Sequence, residues 1–532
     1  SLTFATNFLK VIKMNKLKMA CLTAAIASSS VSFAGGLLTN TNQNVAFNRM
    51  MSREASIGID GVYYNPAGVV FLGEGHHLSL NWQLAYQTRI IKNGYDLFKN
   101  NVNNPITPRE FKGEAFAPVI PSLQYAYNKG RWSFQANLAL TGGGGKCTFD
   151  NGLGSFEKIV GETAMGACGL AGAVDGAAKG ALGAAYPKNI FSEMFGSDGK
   201  YSYDSYMHGR QYYYGISIGA AYKVSDNFSA FAGLRTVYAS CNYYGYVRDI
   251  KVGNTPLYTV LDPSKTDAAD ILLSCDQTGL GFTPIIGIDY KTGRWNFSAK
   301  YELKTRMRLK NKSVNQAPSI GNLAGNLRTA LIAKGVPEVV VDNKILGDPK
   351  VQAVMGGIKS KFDTALGEAV GEYEDGKKIA GDIPAYLTLG AGYAPTDDLR
   401  INVGFHWFDD KNATSYNNRN KKLDRGTLEY NAGAEYDINK RFTVSAGWQC
   451  TSYGLSDEYM DDKSFVVSSN SVGVGGVIRL TSRMKLNVAY FHTFYEHKKT
   501  SDESTVGTNT LNYTSDYTRN NNVFGVGLDV KF

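Results

Sequence analysis

Beyond residue 34 the sequence has no long hydrophobic run, and it has little proline or histidine. No stretch of about 18 apolar residues occurs there, which excludes a transmembrane helix for that part of the chain. The six histidines show no spacing that suits zinc, so we expect neither a metal site nor a cofactor. The 14 prolines among 532 residues leave long segments free to form strands.

The charge of the chain is mild and dispersed. The formal net charge is +9 at pH 7, and it falls to +5 without the first 34 residues, which hold four lysines and no acidic residue. Nucleic-acid binding requires a concentrated basic face, which the sequence lacks. We therefore expect no nucleic-acid partner.

Glycine and aromatic residues, in contrast, are abundant. The chain has 58 glycines and 33 tyrosines, and 12% of its residues are aromatic. Aromatic residues favour strands, and glycine lets a sheet curve. The composition thus favours one large all-β unit over several soluble domains.

The last residues alternate strictly between apolar and small or polar side chains. Phe524, Val526 and Leu528 alternate with Gly525, Gly527 and their neighbours, which gives a strand one apolar face. Similar alternation predicts fourteen transmembrane strands, an even number as in bacterial outer-membrane barrels. The predicted strands are 77–89, 115–127, 131–141, 211–224, 228–247, 279–290, 294–309, 383–393, 399–409, 426–436, 441–453, 469–480, 484–497 and 519–532.

Short and long connections alternate between these strands. The tight turns are predicted on the periplasmic side and the long segments as external loops. Two loop segments have the pattern of a helix. In one, Asp348 is a predicted N-cap and Pro349 the first helical residue. In the other, Ile320, Leu323 and Leu327 recur at helical spacing. These helices either offer an apolar landing site for a ligand or pack together and close the mouth.

The first 34 residues have the pattern of a secretory signal. Four lysines precede an apolar run at 19–27, and Ser32-Phe33-Ala34 is the predicted cleavage site. Residues 1–13 precede the first methionine and are predicted to lie upstream of the true start. Residues 35–75 do not alternate and are predicted to form a plug, or hatch, inside a barrel made by residues 76–532.

The predicted plug carries the motif Asn65-Pro66-Ala67-Gly68. With this motif ahead of fourteen strands, the chain resembles the FadL/TodX family of outer-membrane transporters for long-chain fatty acids and other hydrophobic compounds, over most of its length after residue 35. The resemblance implies passive uptake: an external apolar groove captures the ligand, an internal pocket holds it, and it leaves sideways through the barrel wall where the third strand is kinked. It also implies that the plug motif gates this path.

Several residues are candidates for steps of that path. Glycine kinks or weakens a strand, so the run Gly142, Gly143, Gly144 and Gly145 at the end of the third predicted strand is a candidate opening; a flexible entry into a long loop is the alternative. An acidic ligand needs a cation in the lumen. The lumen-facing candidates for its head group are Arg235, Lys300, Lys304 and Arg400.

Two pairs of cysteines bracket loop segments. Cys147 with Cys168, and Cys241 with Cys275, are compatible with disulfides in an oxidising compartment, and free thiols are the alternative. We expect a monomer surrounded by outer-membrane lipid, or by detergent in vitro.

The sequence shows no catalytic constellation. Gly144-Gly145-Lys146 lacks the Ser or Thr of a phosphate-binding loop, and His406 faces the lumen without a nucleophile partner. An enzyme is therefore not predicted. The alternatives to a transporter are a general diffusion porin and a surface receptor or adhesin that acts through the long loops.

Overall fold

The computed structural model describes residues 36–40, 43–186, 189–318, 320, 322–507 and 509–532, except for the side chains of 361–370. The predicted signal segment and its cleavage site lie outside the described residues.

Fourteen antiparallel strands close into a barrel, which confirms the predicted fold class. The last strand pairs with the first from His77 opposite Lys531 to Gly94 opposite Thr514, so the sheet has no free edge there. The strands are β1 (Gly75–Gly94), β2 (Arg109–Lys129), β3 (Trp132–Phe149), β4 (Tyr201–Lys223), β5 (Phe228–Val252), β6 (Ile271–Thr292), β7 (Trp295–Glu302 and Arg308–Gln316), β8 (Lys378–Ala380 and Tyr386–Tyr393), β9 (Leu399–Phe408), β10 (Arg425–Asp437), β11 (Phe442–Gly454), β12 (Ser469–Arg479), β13 (Met484–Tyr495 and Lys498–Val506) and β14 (Asn509–Lys531). A two-residue strand, Thr255–Pro256, pairs with the end of β5.

The outer surface of the barrel is apolar and its inner surface is polar. On β1, Leu80 and Trp82 are 45% and 39% exposed, whereas Ser79 and Gln83 are fully buried inside. A closed barrel pairs its backbone groups between strands, which a bilayer requires of any structure that spans it. No helix among the described residues is long and apolar enough to cross a bilayer.

Helices lie inside the barrel and in the external loops. The α-helices of the described residues are α1 (Val45–Arg49), α2 (Gly61–Tyr64), α3 (Gly154–Leu182), α4 (Ile190–Phe195), α5 (Tyr258–Leu261), α6 (Leu323–Ala333), α7 (Glu338–Val340) and α8 (Pro349–Tyr373). Segments of 3-10 helix occur at Gly68–Leu72, Asp96–Asn100, Gly183–Ala185, Asp410–Asn412, Tyr416–Lys422 and Asp457–Tyr459, and a π-helical turn at Val341–Ile345. The segment Tyr416–Lys422 is kinked at Asn417 and Asn418.

Both predicted loop helices are confirmed as α6 and α8. The side chain of Asp348 accepts hydrogen bonds from the backbone N–H groups of Lys350 and Val351 and so caps α8. The sequence predicts a loop over 142–210 and does not predict the 29-residue helix α3. Its buried face includes Val160 and Val174, but the many glycines and alanines around them weaken the helical pattern.

Strand bounds differ from the predictions at several points. β3 was predicted to end at Thr141, yet it continues through the glycine run to Phe149. The strand predicted at 294–309 is split, because residues 303–307 leave the ladder between the two parts of β7. β4 and β14 begin about ten residues earlier than predicted, since paired strands continue beyond the apolar belt where alternation no longer marks them.

Candidate functional site

Residues 43–74 lie inside the barrel, and we call them the inner segment. The Asn44 side chain donates hydrogen bonds to Ser79 Oγ (3.0 Å) and to Gln124 Oε1 (2.8 Å). Asn48 Nδ2 donates to Gln83 Oε1 at 2.7 Å. These side-chain hydrogen bonds attach α1 to the inner faces of β1 and β2.

On the opposite wall the inner segment touches the backbone of the barrel directly. A Cβ atom at Gly447 of β11 would lie 2.7 Å from the backbone nitrogen of Met51, and one at Gly473 of β12 would collide with Asn48. Only glycine permits such a close approach. Glycines of the barrel wall thus lie where the inner segment approaches it most closely.

Buried ion pairs add to this attachment. Arg53 donates to both oxygens of Asp60, at 2.7 and 3.0 Å, and both Arg49 and Arg53 contact Glu435 of β10. Charges inside a protein are tolerated only when they are paired in this way. The cations of the inner segment are therefore bound to acidic partners.

The motif Asn65-Pro66-Ala67-Gly68 bonds to three strands. Asn65 Nδ2 donates to Asp289 Oδ2 of β6 at 2.6 Å. The carbonyl of Pro66 accepts from Gln135 of β3 at 2.7 Å, and that of Ala67 accepts from Ser229 of β5 at 2.6 Å. The motif fixes the end of the inner segment to one side of the barrel.

The barrel wall is incompletely paired between β2 and β3. The ladder between β2 and β3 pairs Leu123 with Leu138 and then resumes only at Ala115 opposite Cys147. Residues 116–122 of β2 are therefore not paired with residues 139–146 of β3. Pro118 and Pro121 lie in this stretch of β2 and have no N–H to donate. We call this unpaired stretch the wall gap.

The glycine run forms the β3 side of the wall gap. β3 shifts register against β4 on both sides of the run, between Leu140 and Gly142 and between Gly144 and Cys147. Gly143 has a φ of 92°, and a Cβ atom there would collide with the Gln211 carbonyl. Glycine is therefore required for this bulge.

A cavity of about 820 Å³ lies beside the wall gap, and we call it the inner cavity. Buried residues such as Leu37 and Phe491 line it together with Ile120 of β2. Outward-facing residues also line it, including Val119, which is 60% exposed, and Leu138. A space bordered by both faces of the wall is open to the lipid side of the barrel.

A second cavity of about 800 Å³, the outer cavity, lies among the external loops. Helices α3, α4, α6 and α8 surround it with the ends of β5 and β6. Its lining is mostly aliphatic or aromatic, as shown by Phe156, Val160, Leu261, Leu327 and Ile358. A pocket of this size and character suits an apolar small molecule.

No family model and no curated protein matches the sequence, whereas solved structures do match. The crystal structure of a Pseudomonas aeruginosa FadL homologue superposes with a TM-score of 0.58 and 15% identity over 94% of this chain and 100% of that chain. The chain has the FadL fold. The P. putida toluene transporter TodX gives a TM-score of 0.47 with 13% identity, and the Ralstonia pickettii toluene transporter TbuX gives 0.44 with 13% identity; in both cases the match covers 89% of this chain and 94% of the other.

The FadL fold together with the apolar outer belt assigns the chain to the bacterial outer membrane. Such a barrel presents side chains such as Phe282 and Ile286, both more than half exposed, to the acyl chains of the bilayer.

Two of the four predicted head-group residues of this FadL barrel are already neutralised. Arg235 donates to both oxygens of Glu302, at 2.5 and 3.0 Å. Lys300 Nζ donates to Glu302 at 2.8 Å and to the carbonyl of Tyr63 at 2.8 Å, and it lies 4.3 Å from the Tyr63 ring centroid. Arg235 and Lys300 thus bind the inner segment.

The other two predicted head-group residues border neither the inner nor the outer cavity. Lys304 lies in the break of β7 and donates to the Asn412 carbonyl at 3.1 Å. Arg400 is the second residue of β9 and donates to both oxygens of Asp437, at 2.9 and 3.1 Å.

The four cysteines predicted to pair are free thiols in the structure. Cys168 in α3 donates its thiol hydrogen to the Phe195 carbonyl at 3.5 Å, and Cys147 faces inward from β3. Cys241 lies opposite Gln277, so Cys275 is its diagonal neighbour on the next strand and not its direct partner. Neither predicted disulfide is formed in this arrangement.

A buried carboxyl group, that of Glu372, lies at the end of α8, close in sequence to the outer cavity. Glu372 precedes Tyr373, which lines that cavity. Burial raises the pKa of Glu372 to about 8, although Arg419 and Lys463 act in the opposite direction. This carboxyl is then mostly protonated at neutral pH.

Sequence reasoning missed the two cations that do border the inner cavity, Arg89 and Arg519. Both lie at inward positions of their strands, and they are direct partners across the junction of β1 with β14. The pairing of the last predicted strand with the first, counted residue by residue from its end, would have placed these two arginines opposite each other.

Proposed function

We propose that the protein takes up hydrophobic small molecules, such as long-chain fatty acids, across the outer membrane by passive diffusion. The observation that carries this proposal is the wall gap, which joins an apolar interior cavity to the lipid-facing surface. The likeness to a FadL homologue supports the same conclusion at the level of the fold. No energy source or cofactor is part of the proposal.

Capture takes place in the outer cavity. Each buried methylene of a ligand contributes about 0.8 kcal/mol of transfer free energy. An apolar pocket among the external loops can therefore hold a chain of several carbons before it enters the barrel.

Release is sideways, through the wall gap into the bilayer. In this proposal the inner segment is the plug, and the motif at 65–68 anchors it to β3, β5 and β6. Its many buried bonds make displacement toward the periplasm costly, because each broken one costs about 0.5–1.5 kcal/mol. A sideways path also spares the apolar chain a passage through water.

The test is uptake of labelled oleate by cells that lack the protein and regain it as wild type or as Gly144→Phe. A Cβ atom at Gly144 meets nothing within 4 Å, and Gly144 lines the inner cavity, so a phenyl ring fills space there without strain. We expect uptake to fall severalfold in Gly144→Phe. Gly176→Phe, at an equally open glycine of α3, is the matched control and keeps wild-type uptake.

For each variant, heat-modifiable migration on a gel verifies that the barrel is folded in the outer membrane. If cells without the protein take up oleate as fast as cells with it, the uptake proposal is wrong. If Gly144→Phe transports as well as wild type, the path through the wall gap is wrong.

A further inference from the structure

Three lysines form a cluster on the outer surface of the barrel. Lys310 and Lys312 lie on the second part of β7, and Lys378 lies on the first part of β8. All three are exposed, whereas their chain neighbours Leu309 and Ile379 are only 3% and 5% exposed. Since successive side chains of a strand point to opposite faces, the lysines point outward. We call them the outer lysine cluster.

The register of β6 gives the height of this cluster. The outward residues of 280–290 are apolar and exposed, and this length matches the 9–11 residues, roughly, with which a strand spans the hydrocarbon of a bilayer. Beyond their external end, Thr278 is the direct partner of Lys310, and Asp276 is that of Lys312. The cluster therefore lies at the height of the external lipid head groups.

Like charges meet within the outer lysine cluster. Lys310 is the direct cross-strand partner of Lys378, and Lys312 follows on the same face of β7. Like charges directly opposite each other destabilise a sheet. Among the described residues, no carboxylate lies within ion-pair distance of any of the three lysines. Asp276, opposite Lys312, instead accepts a hydrogen bond from Asn242 at 2.8 Å.

Other cations of the outer surface do have acidic partners. Lys112 of β2 lies 2.6 Å from Glu114, and Arg308, next to the cluster on β7, lies 2.9 Å from Asp382. The outer lysine cluster is thus a local excess of positive charge. A phosphate group, with a charge of about −1.5 to −2 and several acceptor oxygens, would offset the repulsion between the lysines.

An aromatic pair on neighbouring strands extends the same surface. His208 of β4 stacks on Tyr244 of β5, with ring centroids 5.6 Å apart. Tyr244 lies opposite Ser274 of β6, which lies opposite Val314, two residues beyond Lys312. Tyrosine is enriched at the head-group level of membranes. Its position here supports the same height for the lysines.

We propose that the outer lysine cluster binds the phosphate groups of a lipid in the outer leaflet of the outer membrane. The acyl chains of that lipid lie against the apolar belt, where Leu280 and Phe282 are 56% and 53% exposed directly below the cluster. This continuity of cations with an apolar surface favours a phosphorylated lipid over a free phosphate ion. The inference goes beyond the proposed function, because it concerns the outer surface and neither cavity.

The test measures lipid binding to the purified full chain in a non-ionic detergent by native mass spectrometry. The probes are lipid A, a glycolipid with two phosphates, and the same lipid after removal of both phosphates. Each lysine near an anionic lipid surface strengthens binding about fivefold, so wild type should bind lipid A about a hundredfold more tightly than the dephosphorylated lipid. The triple variant K310Q/K312Q/K378Q should bind both lipids equally.

Two further variants separate charge from other effects. K310R/K312R/K378R keeps the positive charge and should keep the preference for lipid A. K112Q removes an exposed lysine of the outer surface on β2 and should keep it too. Heat-modifiable migration on a gel verifies that each variant is folded.

Equal affinities of wild type for the two lipids overturn the inference. So does a triple glutamine variant that keeps the preference, or an equal loss of preference in K112Q. Inorganic phosphate at the concentration of the lipid should not displace lipid A. If it does, the cluster takes a free anion and the assignment to a lipid is wrong.

Discussion

Glu302 lies between two cations inside the barrel. It accepts hydrogen bonds from Arg235 and Lys300, and both of these cations lie close to the ring of Tyr63 in the inner segment. All three charged side chains are at most 3% exposed. This cluster stabilises the contact between barrel wall and inner segment, and it leaves no cation free for a ligand.

Replacing Glu302 by glutamine should destabilise the barrel strongly. Removal of one partner of a buried ion pair costs about 3–5 kcal/mol, because the remaining charge is left uncompensated. The measurement is urea-induced unfolding of the purified protein in detergent. Asp397→Asn, which breaks the exposed pair with Arg294, is the control and should cost at most about 1 kcal/mol. A Glu302→Gln variant as stable as wild type would contradict this account.

Alternation along a strand was enough to predict which cations face the lumen, as Arg235 and Lys300 show. It could not predict which of them are free, because that depends on contacts with distant residues such as Tyr63. Arg89 and Arg519 are far apart in the sequence. Only the register of the closing strand pair brings them together.

At the scale of elements, the wall gap is an interruption of the ladder between β2 and β3. Two prolines weaken pairing on one side and a glycine bulge does so on the other. β2 stays paired with β1 on its other edge, with a register shift between Gln83 and Ala85. The opening is therefore local, and the barrel remains closed around it.

A disulfide across the outer end of the wall gap should slow transport. A Cβ atom on Gly145 would lie 3.5 Å from that of Ala117, which is within the range of disulfide bonds. In the variant A117C/G145C the oxidised bond prevents the gap from widening, so oleate uptake should fall severalfold and recover after reduction. The single variants A117C and G145C serve as controls. Equal uptake by the oxidised and reduced double variant would count against exit at this place.

The bounds of elements were predicted less well than their existence. The sequence predicts that β3 ends at Thr141, because a run of glycines has no alternation to follow, yet the strand continues beyond it by backbone pairing with β4. Helix α3 was missed because small residues give a weak apolar pattern, whereas the capped helix α8 was predicted correctly. Backbone pairing and loop packing are set by neighbours, which a local pattern does not contain.

At the scale of the whole molecule, three parts act together: a closed apolar barrel, an inner segment bonded to several of its strands, and cavities at the loops and at the wall gap. In the proposed function, the inner segment blocks an open aqueous channel, and the wall gap is the route that keeps an apolar ligand out of water. The barrel itself was predictable from strand alternation and turn spacing, because a bilayer admits few other architectures.

The most direct test of this account is photo-cross-linking with a fatty acid that carries a diazirine at the end of its chain. The labelled acid is bound to the protein in outer-membrane vesicles, irradiated, and its attachment sites are mapped by mass spectrometry. The account predicts labelled residues at the wall gap, within 116–122 of β2 and 139–146 of β3. Labels confined to the inner segment and the periplasmic turns would contradict it, since they would place the path straight through the bore.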